Sequence, residues 1–165
     1  MWHRLWTSSL IFLVLTGATY PEPTGYVVDQ AGILSEATKQ QIAQQATALA
    51  QGTGPEIAVV TLSSIAPESI ESYGIHLADR WKVGKRGLDN GVILLVAVQE
   101  RKVRIEVGRG AEAVLTDAEA GRILASDVVP HLKRGDWDGG VLAGTQAIVR
   151  ELTTTTGRTT THDTR

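Results

Sequence analysis

Asp89-Asn90-Gly91-Val-Ile-Leu-Leu-Val-Ala-Val98 is the stretch that decides the fold. Seven consecutive apolar residues, Val92 to Val98, are far too few to cross a hydrocarbon core, which needs about 20. Side chains alternate between the two faces of a strand, so an unbroken apolar run is stable only where both faces are covered. The run therefore predicts a central strand with helices on both sides, entered through Asp89-Asn90. Next along the chain, Lys102-Val-Arg-Ile-Glu-Val107 alternates polar and apolar residues strictly. The short link before it predicts an antiparallel hairpin partner with one polar face.

Upstream of that hairpin, Ile57 to Leu62 is a β-branched run between Pro55 and Ser63-Ser64, and Val27-Val28 gives a short first strand followed by an Asp29 to Gly32 turn. Between these strands, Ser35 caps a helix running to Ala50, with Ile42, Ala46 and Leu49 on its buried stripe and Gly52 and Gly54 as stops. Pro67 is expected to open a second helix with Ile70, Gly74, Leu77 and Trp81 on one face, ended by Gly84 and Gly87. Beyond the hairpin, Thr116-Asp-Ala-Glu119 is a capping box for a helix that buries Ala120, Ile123, Leu124 and Val128 and stops at Pro130. Asp136 caps a last helix, with Trp137, Val141, Gly144, Ile148 and Leu152 on one face, ending before a threonine tail. Right-handed crossovers make the first three strands parallel. The expected fold is α/β, a three-layer α/β/α sandwich around a mixed sheet of about four strands with an antiparallel hairpin.

The ends read differently. Residues 1–18 carry Arg4, an apolar run over Leu10 to Leu15, and Thr16-Gly-Ala18, the three zones of a secretory signal cleaved after Ala18. An uncleaved signal would instead anchor the chain in a membrane. Residues 19–25 form a Pro-rich linker, 26–152 the folded domain, and 153–165 a Thr-rich tail with nothing apolar to dock, so both ends are expected to be mobile. The expected location is exported, periplasmic or extracellular. Sixteen Lys plus Arg against eighteen Asp plus Glu leave a net charge of -2, with no global positive field for nucleic acid. The absence of cysteine excludes disulfides, thiolate metal sites and every cysteine-nucleophile mechanism.

What remains for chemistry is mostly oxygen. Asp29, Asp89, Asn90, Glu112 and Asp117 all lie at ends of expected strands or helices. Such donors suit a hard divalent cation, Ca2+ or Mg2+. The same residues also read as turn and helix-start chemistry, since Asp29 and Asp89-Asn90-Gly91 favour turns and Asp117 favours a helix dipole. Gly108-Arg109-Gly110 is a candidate phosphate site through its amides and guanidinium, or a simple bend. Lys85 and Arg86 add charge nearby or belong to a solvated loop. His76, His131 and His162 sit in no nucleophile-elbow or zinc-helix context, and Arg134-Gly-Asp136 reads as a helix cap.

Six ordered blocks resemble the TPM domain family: Val27-Val-Asp29-Gln-Ala-Gly32-Ile-Leu-Ser35, Trp81 to Gly84, Asp89 to Ala97, Arg104-Ile-Glu-Val-Gly108-Arg-Gly110, Leu115-Thr-Asp117-Ala and Arg134-Gly-Asp136-Trp. The resemblance covers nearly the whole folded body. It implies an α/β/α sandwich outside the cytoplasm, divalent-cation binding in some members and acid phosphatase activity in others. By motif it points to Asp29, Asp89 and Asn90 lining one cleft, with Glu112 and Asp117 next. A Gly110-Ala-Glu112-Ala run departs from the bulkier residues usual there, and many bacterial relatives continue into a membrane helix where this chain has threonines. Two functions follow: a metal-assisted phosphomonoester hydrolase in which Arg109 steadies charge, or a non-enzymatic envelope factor that assists membrane-protein assembly or repair. A pure small-ligand module would use the same cleft.

Overall fold

The structure, a computed structural model, describes residues 19–52 and 54–159; the expected signal, residues 1–18, and the end of the tail, 160–165, lie outside it. Its elements are β1 (Val27–Asp29), α1 (Glu36–Gly52), β2 (Glu56–Leu62), α2 (Ile70–Trp81), β3 (Gly91–Ala97), β4 (Lys102–Val107), α3 (Asp117–Ile123), a π turn (Leu124–Val128), α4 (Val129–Lys133) and α5 (Trp137–Thr159). The sheet order is β1-β2-β3-β4, parallel between β1, β2 and β3 and antiparallel between β3 and β4. All seven residues of β3 are buried, as its continuous apolar sequence requires.

Alternate residues of β2 and β3 feed two cores. Ile57, Val59, Val92, Leu94 and Val96 pack with Ile42 and Ala46 of α1 and Ile148 of α5. Ala58, Val60, Ile93 and Leu95 pack with Ile70, Tyr73 and Leu77 of α2 on the other face. The three layers expected from the sequence are therefore present. Two right-handed crossovers along β1-β2-β3 would place α1 and α2 on the same face; their opposite placement makes one crossover left-handed, against the usual rule. The consequence is positional: among the described residues α2 covers its face of the sheet without a companion helix, and its C-terminal end lies beside β4.

Several boundaries differ from expectation. Ser69, not Pro67, caps α2, its hydroxyl accepting from Ser72 N at 3.1 Å, while Pro67 lies in the preceding turn. Pro130 does not stop the third helix. The π turn before it is wide enough to admit the proline ring, and α4 continues with Pro130 in its first turn. The last helix runs past Leu152 into the threonines, where the Thr153 and Thr154 hydroxyls bond back to the Val149 and Arg150 carbonyls at 2.7 Å.

The first residues of the linker, 19–21, pack against α2. Pro21 is buried, and Trp81 Nε1 donates to its carbonyl at 2.8 Å; Tyr73 donates its hydroxyl to the Thr19 carbonyl at 2.7 Å. Tyr20 stacks on Tyr73 with centroids 4.6 Å apart, under the Arg80 guanidinium. Its hydroxyl donates to Glu68, and His76 Nδ1 meets Glu68 Oε2 at 2.9 Å. Residues 19–21 thus form a strap along α2 that packs against the edge of the second core.

Candidate functional site

Of the predicted site residues, the structure brings Asp89, Arg109 and Glu112 into one cleft, puts Asn90 beneath it, and leaves Asp29 and Asp117 elsewhere. Asp29 closes β1 and lies in register with Thr61, which pairs with Val96 toward the far end of β3. Asp89 precedes Gly91 at the near end. The five residue steps from Gly91 to Val96 span about 16 Å of strand, whereas ligands of one cation lie within about 2.6 Å of it. The expected convergence of Asp29 with Asp89 and Asn90 is therefore corrected: loop 82–90 does not cross the sheet face but folds back onto the turn after β4.

At the Asp29 edge the carboxylate is consumed by the chain itself. The Thr61 hydroxyl donates to it, as do Ile33 N at 3.2 Å and Leu34 N at 3.0 Å, and Ser35 N goes to Asp138 Oδ1 at 2.8 Å. That is loop closure, the turn reading of Asp29. Asp117 is the first residue of α3, behind the Thr116–Glu119 capping box, and does not line the cleft.

The cleft, about 820 Å³, lies between the end of α2, loop 82–90, and the end of β4 with residues 108–112. Its loop is built by backbone geometry. Lys82 caps α2 in the left-handed region (φ 49°), and Asp89 adopts the same region (φ 48°) before β3. Asn90 is buried and works as a clasp: Oδ1 accepts from Lys85 N at 2.8 Å, and Nδ2 donates to the Gly54 carbonyl at 3.0 Å. Glu56 takes Gly84 N at 3.1 Å. With its amide committed at both ends, Asn90 positions the loop rather than facing a ligand.

The 108–110 turn lies so close to that loop that a Cβ on Gly110 would overlap the Leu88 carbonyl, and one on Gly108 the Asp89 carbonyl. Its amides are also spent internally. Gly108 N donates to the Gly91 carbonyl and Gly110 N to the Asp89 carbonyl, each at 2.8 Å, and Arg109 N to Asp89 Oδ2 at 3.3 Å. The expected backbone cradle for phosphate is thus replaced by a bend. What stays available is the side chain: Arg109 is 89% exposed, with Nε 3.9 Å from Asp89 Oδ2.

Around Arg109 the lining adds Lys82, Lys85 and Arg86 as cations and Asp79, Glu106 and Glu112 as acids beside Asp89. Arg104 already holds Glu106 at 2.6 Å, leaving four cations against the carboxylates of Asp79, Asp89 and Glu112, of which Asp89 is itself paired with Arg109. Asp79 carries no sequence signal and Lys82 only its place in the Trp81 to Gly84 block, because the cleft they line forms only where α2 meets the folded-back loop and the end of β4. Among the described residues, no group of three or more His, Asp or Glu side chains is placed to hold a metal. The pair Asp89 and Glu112 lacks the six to eight oxygens of a protein-built Ca2+ cage. With these two carboxylates of the lining as protein ligands, any cation here would need water and substrate phosphate to complete its shell.

The strap cluster carries the clearest electrostatic shifts. Burial, then the Glu68 hydrogen bond, pushes the Tyr20 phenol up to about 12, and burial does the same for Tyr73. The Tyr20 hydrogen bond holds the Glu68 carboxyl below its usual range.

The TPM domain family model matches residues 27–151. Three NMR structures share the fold. The N-terminal domain of a protein from P. gingivalis is 33% identical with a TM-score of 0.75, covering 81% of this chain and 85% of that one. The N-terminal domain of the cg2496 protein from Corynebacterium glutamicum is 25% identical with a TM-score of 0.61, covering 81% and 84%. The BA42 protein from the psychrophilic Bizionia argentinensis, at 20% identity and a TM-score of 0.61, covers 72% and 81% and bears on the fold alone. Among curated proteins none matches.

Proposed function

The chain belongs to the TPM domain family, and from that premise we propose that its α2–β4 cleft binds phosphate monoesters together with a divalent cation and hydrolyses them outside the cytoplasm. One observation carries the reading: Lys82, Lys85, Arg86 and Arg109 converge with Asp89 and Glu112 in a single cleft. Cations of this kind bind and orient phosphate oxygens, and the planar guanidinium of Arg109 suits them best. Asp89 and Glu112 would hold the cation. When bound, that ion would polarise phosphate oxygens and activate water. Asn90 and Glu56 keep the Lys85 and Arg86 loop in place, which lowers the ordering cost of binding. Export rests on the signal pattern of residues 1–18.

The test is turnover of phenyl phosphate by the chain at acidic pH, with Mg2+ or chelator, beside Arg109→Ala and Glu112→Gln. Metal-dependent turnover lost in both variants supports the proposal. Phosphate binding without turnover would instead favour the non-enzymatic envelope factor, and turnover unchanged in both variants would move the site away from this cleft.

A further inference from the structure

The two edges of the sheet end differently. β1 closes one edge with only three residues. β4 closes the other with six, Lys102 to Val107, in unbroken register with β3 and with no proline or bulge to guard it. One bond fixes which of its backbone groups are used: Gly108 N donates to the Gly91 carbonyl at 2.8 Å, in the register that pairs Val107 with Val92. Alternate residues of an antiparallel strand bond to one neighbour. Lys102, Arg104 and Glu106 therefore turn their N–H and C=O groups to β3, and Val103, Ile105 and Val107 turn theirs outward. Among the described residues nothing bonds to those outward groups. The side chains are sorted as well. Val103, Ile105 and Val107 pack toward the core of α1 and α5, while Arg104 and Glu106 lie on the α2 side, where a Cβ on Gly74 would meet both.

We propose that β4 pairs antiparallel with β4 of a second copy of this chain, about a two-fold axis through Ile105, and so brings Lys102 of the partner subunit to the cleft. Charge complementarity names the occupant. With Ile105 on the axis, the outward groups of Val103 bond to the partner's Val107, and Arg104 stands directly opposite the partner's Glu106, twice by symmetry. Opposite charges in such cross-strand positions stabilise the pair, and like charges oppose it. Moving the axis to Arg104 or to Glu106 keeps the backbone bonding but sets that residue against its own copy. One register is thereby selected. In it, Lys102 of the partner subunit faces Gly108, which lines the cleft beside Arg109. Strand alternation puts Lys102 on the same face as Arg104 and Glu106, so each copy adds a cation to the other's cleft. The inference goes beyond the phosphate reading and does not depend on it, because the pairing needs no ligand.

Sedimentation equilibrium of the chain over a range of concentrations, with no phosphate present, reads the association. The mass should rise from one chain toward two. Val103→Pro removes an outward N–H that β3 does not use, so it should leave the amide spectrum folded and weaken association at least about tenfold. Arg104→Glu and Glu106→Arg should each weaken association as much, and mixing the two should restore it, since each supplies the charge that the other lacks. If a single variant fails to fold, Arg104→Glu/Glu106→Arg, which keeps the ion pair within the chain, carries the same test by dimerising like the parent. Register is read in a mixture of isotope-labelled and unlabelled chain: intermolecular Hα contacts are expected between Lys102 and Gly108 and between Arg104 and Glu106. A parent that stays monomeric overturns the proposal and leaves the edge to an extended segment of another protein. A dimer indifferent to Val103→Pro, or one whose intermolecular contacts lie elsewhere, overturns it too.

Discussion

The sheet has two aspartate-bearing edges, and they use the same carboxylate in opposite ways. At the β1 edge, Asp29 is saturated by the Thr61 hydroxyl and two loop amides. At the β3 edge the donors are saturated instead: Gly108, Arg109 and Gly110 turn their amides inward onto Gly91 and Asp89, while the Arg109 guanidinium and most of the Asp89 carboxylate stay in solvent. An acidic residue becomes available for a ligand when neighbouring donors are taken by something else. Residue type does not decide this; the local hydrogen-bond census does.

The largest test of that contrast is made with glycines. Gly110→Ala forces a Cβ into the Leu88 carbonyl. It should cost about 1 to 3 kcal/mol or more in urea unfolding and displace the loop, removing phosphate binding. Gly32→Ala, in the Asp29 loop at φ 66° with nothing near its Cβ, should cost only about 1 to 2 kcal/mol of left-handed strain and leave binding unchanged. Equal binding losses in the two would break the comparison.

The carboxylates themselves should separate stability from binding. Asp29→Ala strands the Thr61 hydroxyl and two amides, for a loss of about 1 to 3 kcal/mol with ligand affinity retained. Asp89→Ala, whose side chain is 66% exposed, should cost under about 1 kcal/mol in stability while weakening cation-dependent phosphate binding. Paired thermal melts and titrations read both quantities.

The sheet was legible because its signals are local: the unbroken run of β3, the alternation of β4 and the Thr116 capping box each declare themselves within a few residues. Less legible was whatever needs two distant segments at once. Gly108 and Gly110 look like any bend until loop 82–90 is seen lying on them, and Asn90 looks like a ligand until Gly54 and Lys85 claim its amide. The Asp29–Asp89 pairing failed for the same reason, since only strand register reveals which edge each residue occupies. The role of Tyr20 is not legible because its partners are spread over the turn before α2 (Glu68), the buried face of α2 (Tyr73) and its exposed positions His76 and Arg80.

The smallest expected effect concerns that strap, which touches α2 beside the cleft. Glu68 is lowered in the folded state, so its contribution to docking is present above the ordinary glutamate range and lost as pH falls through its depressed value. Tyr20 is raised, so its contribution is complete below the ordinary tyrosine value and lost as pH rises through about 12. Hydrogen exchange at the Trp81 indole should therefore be most protected between those limits, and Tyr20→Ala should abolish the acid limb. An unchanged profile in Tyr20→Ala would detach Glu68 from the strap.

The central claim is that the β3 edge, not the β1 edge, takes the cation and its phosphate ligand. Mn2+ added to 15N-labelled protein with phenyl phosphate, with broadening read amide by amide, tests it most directly. Broadening is expected to centre on residues 84–91 and 108–112, with the amides of 29–35 sharp. Broadening centred on 29–35, with the cleft amides untouched, would contradict it.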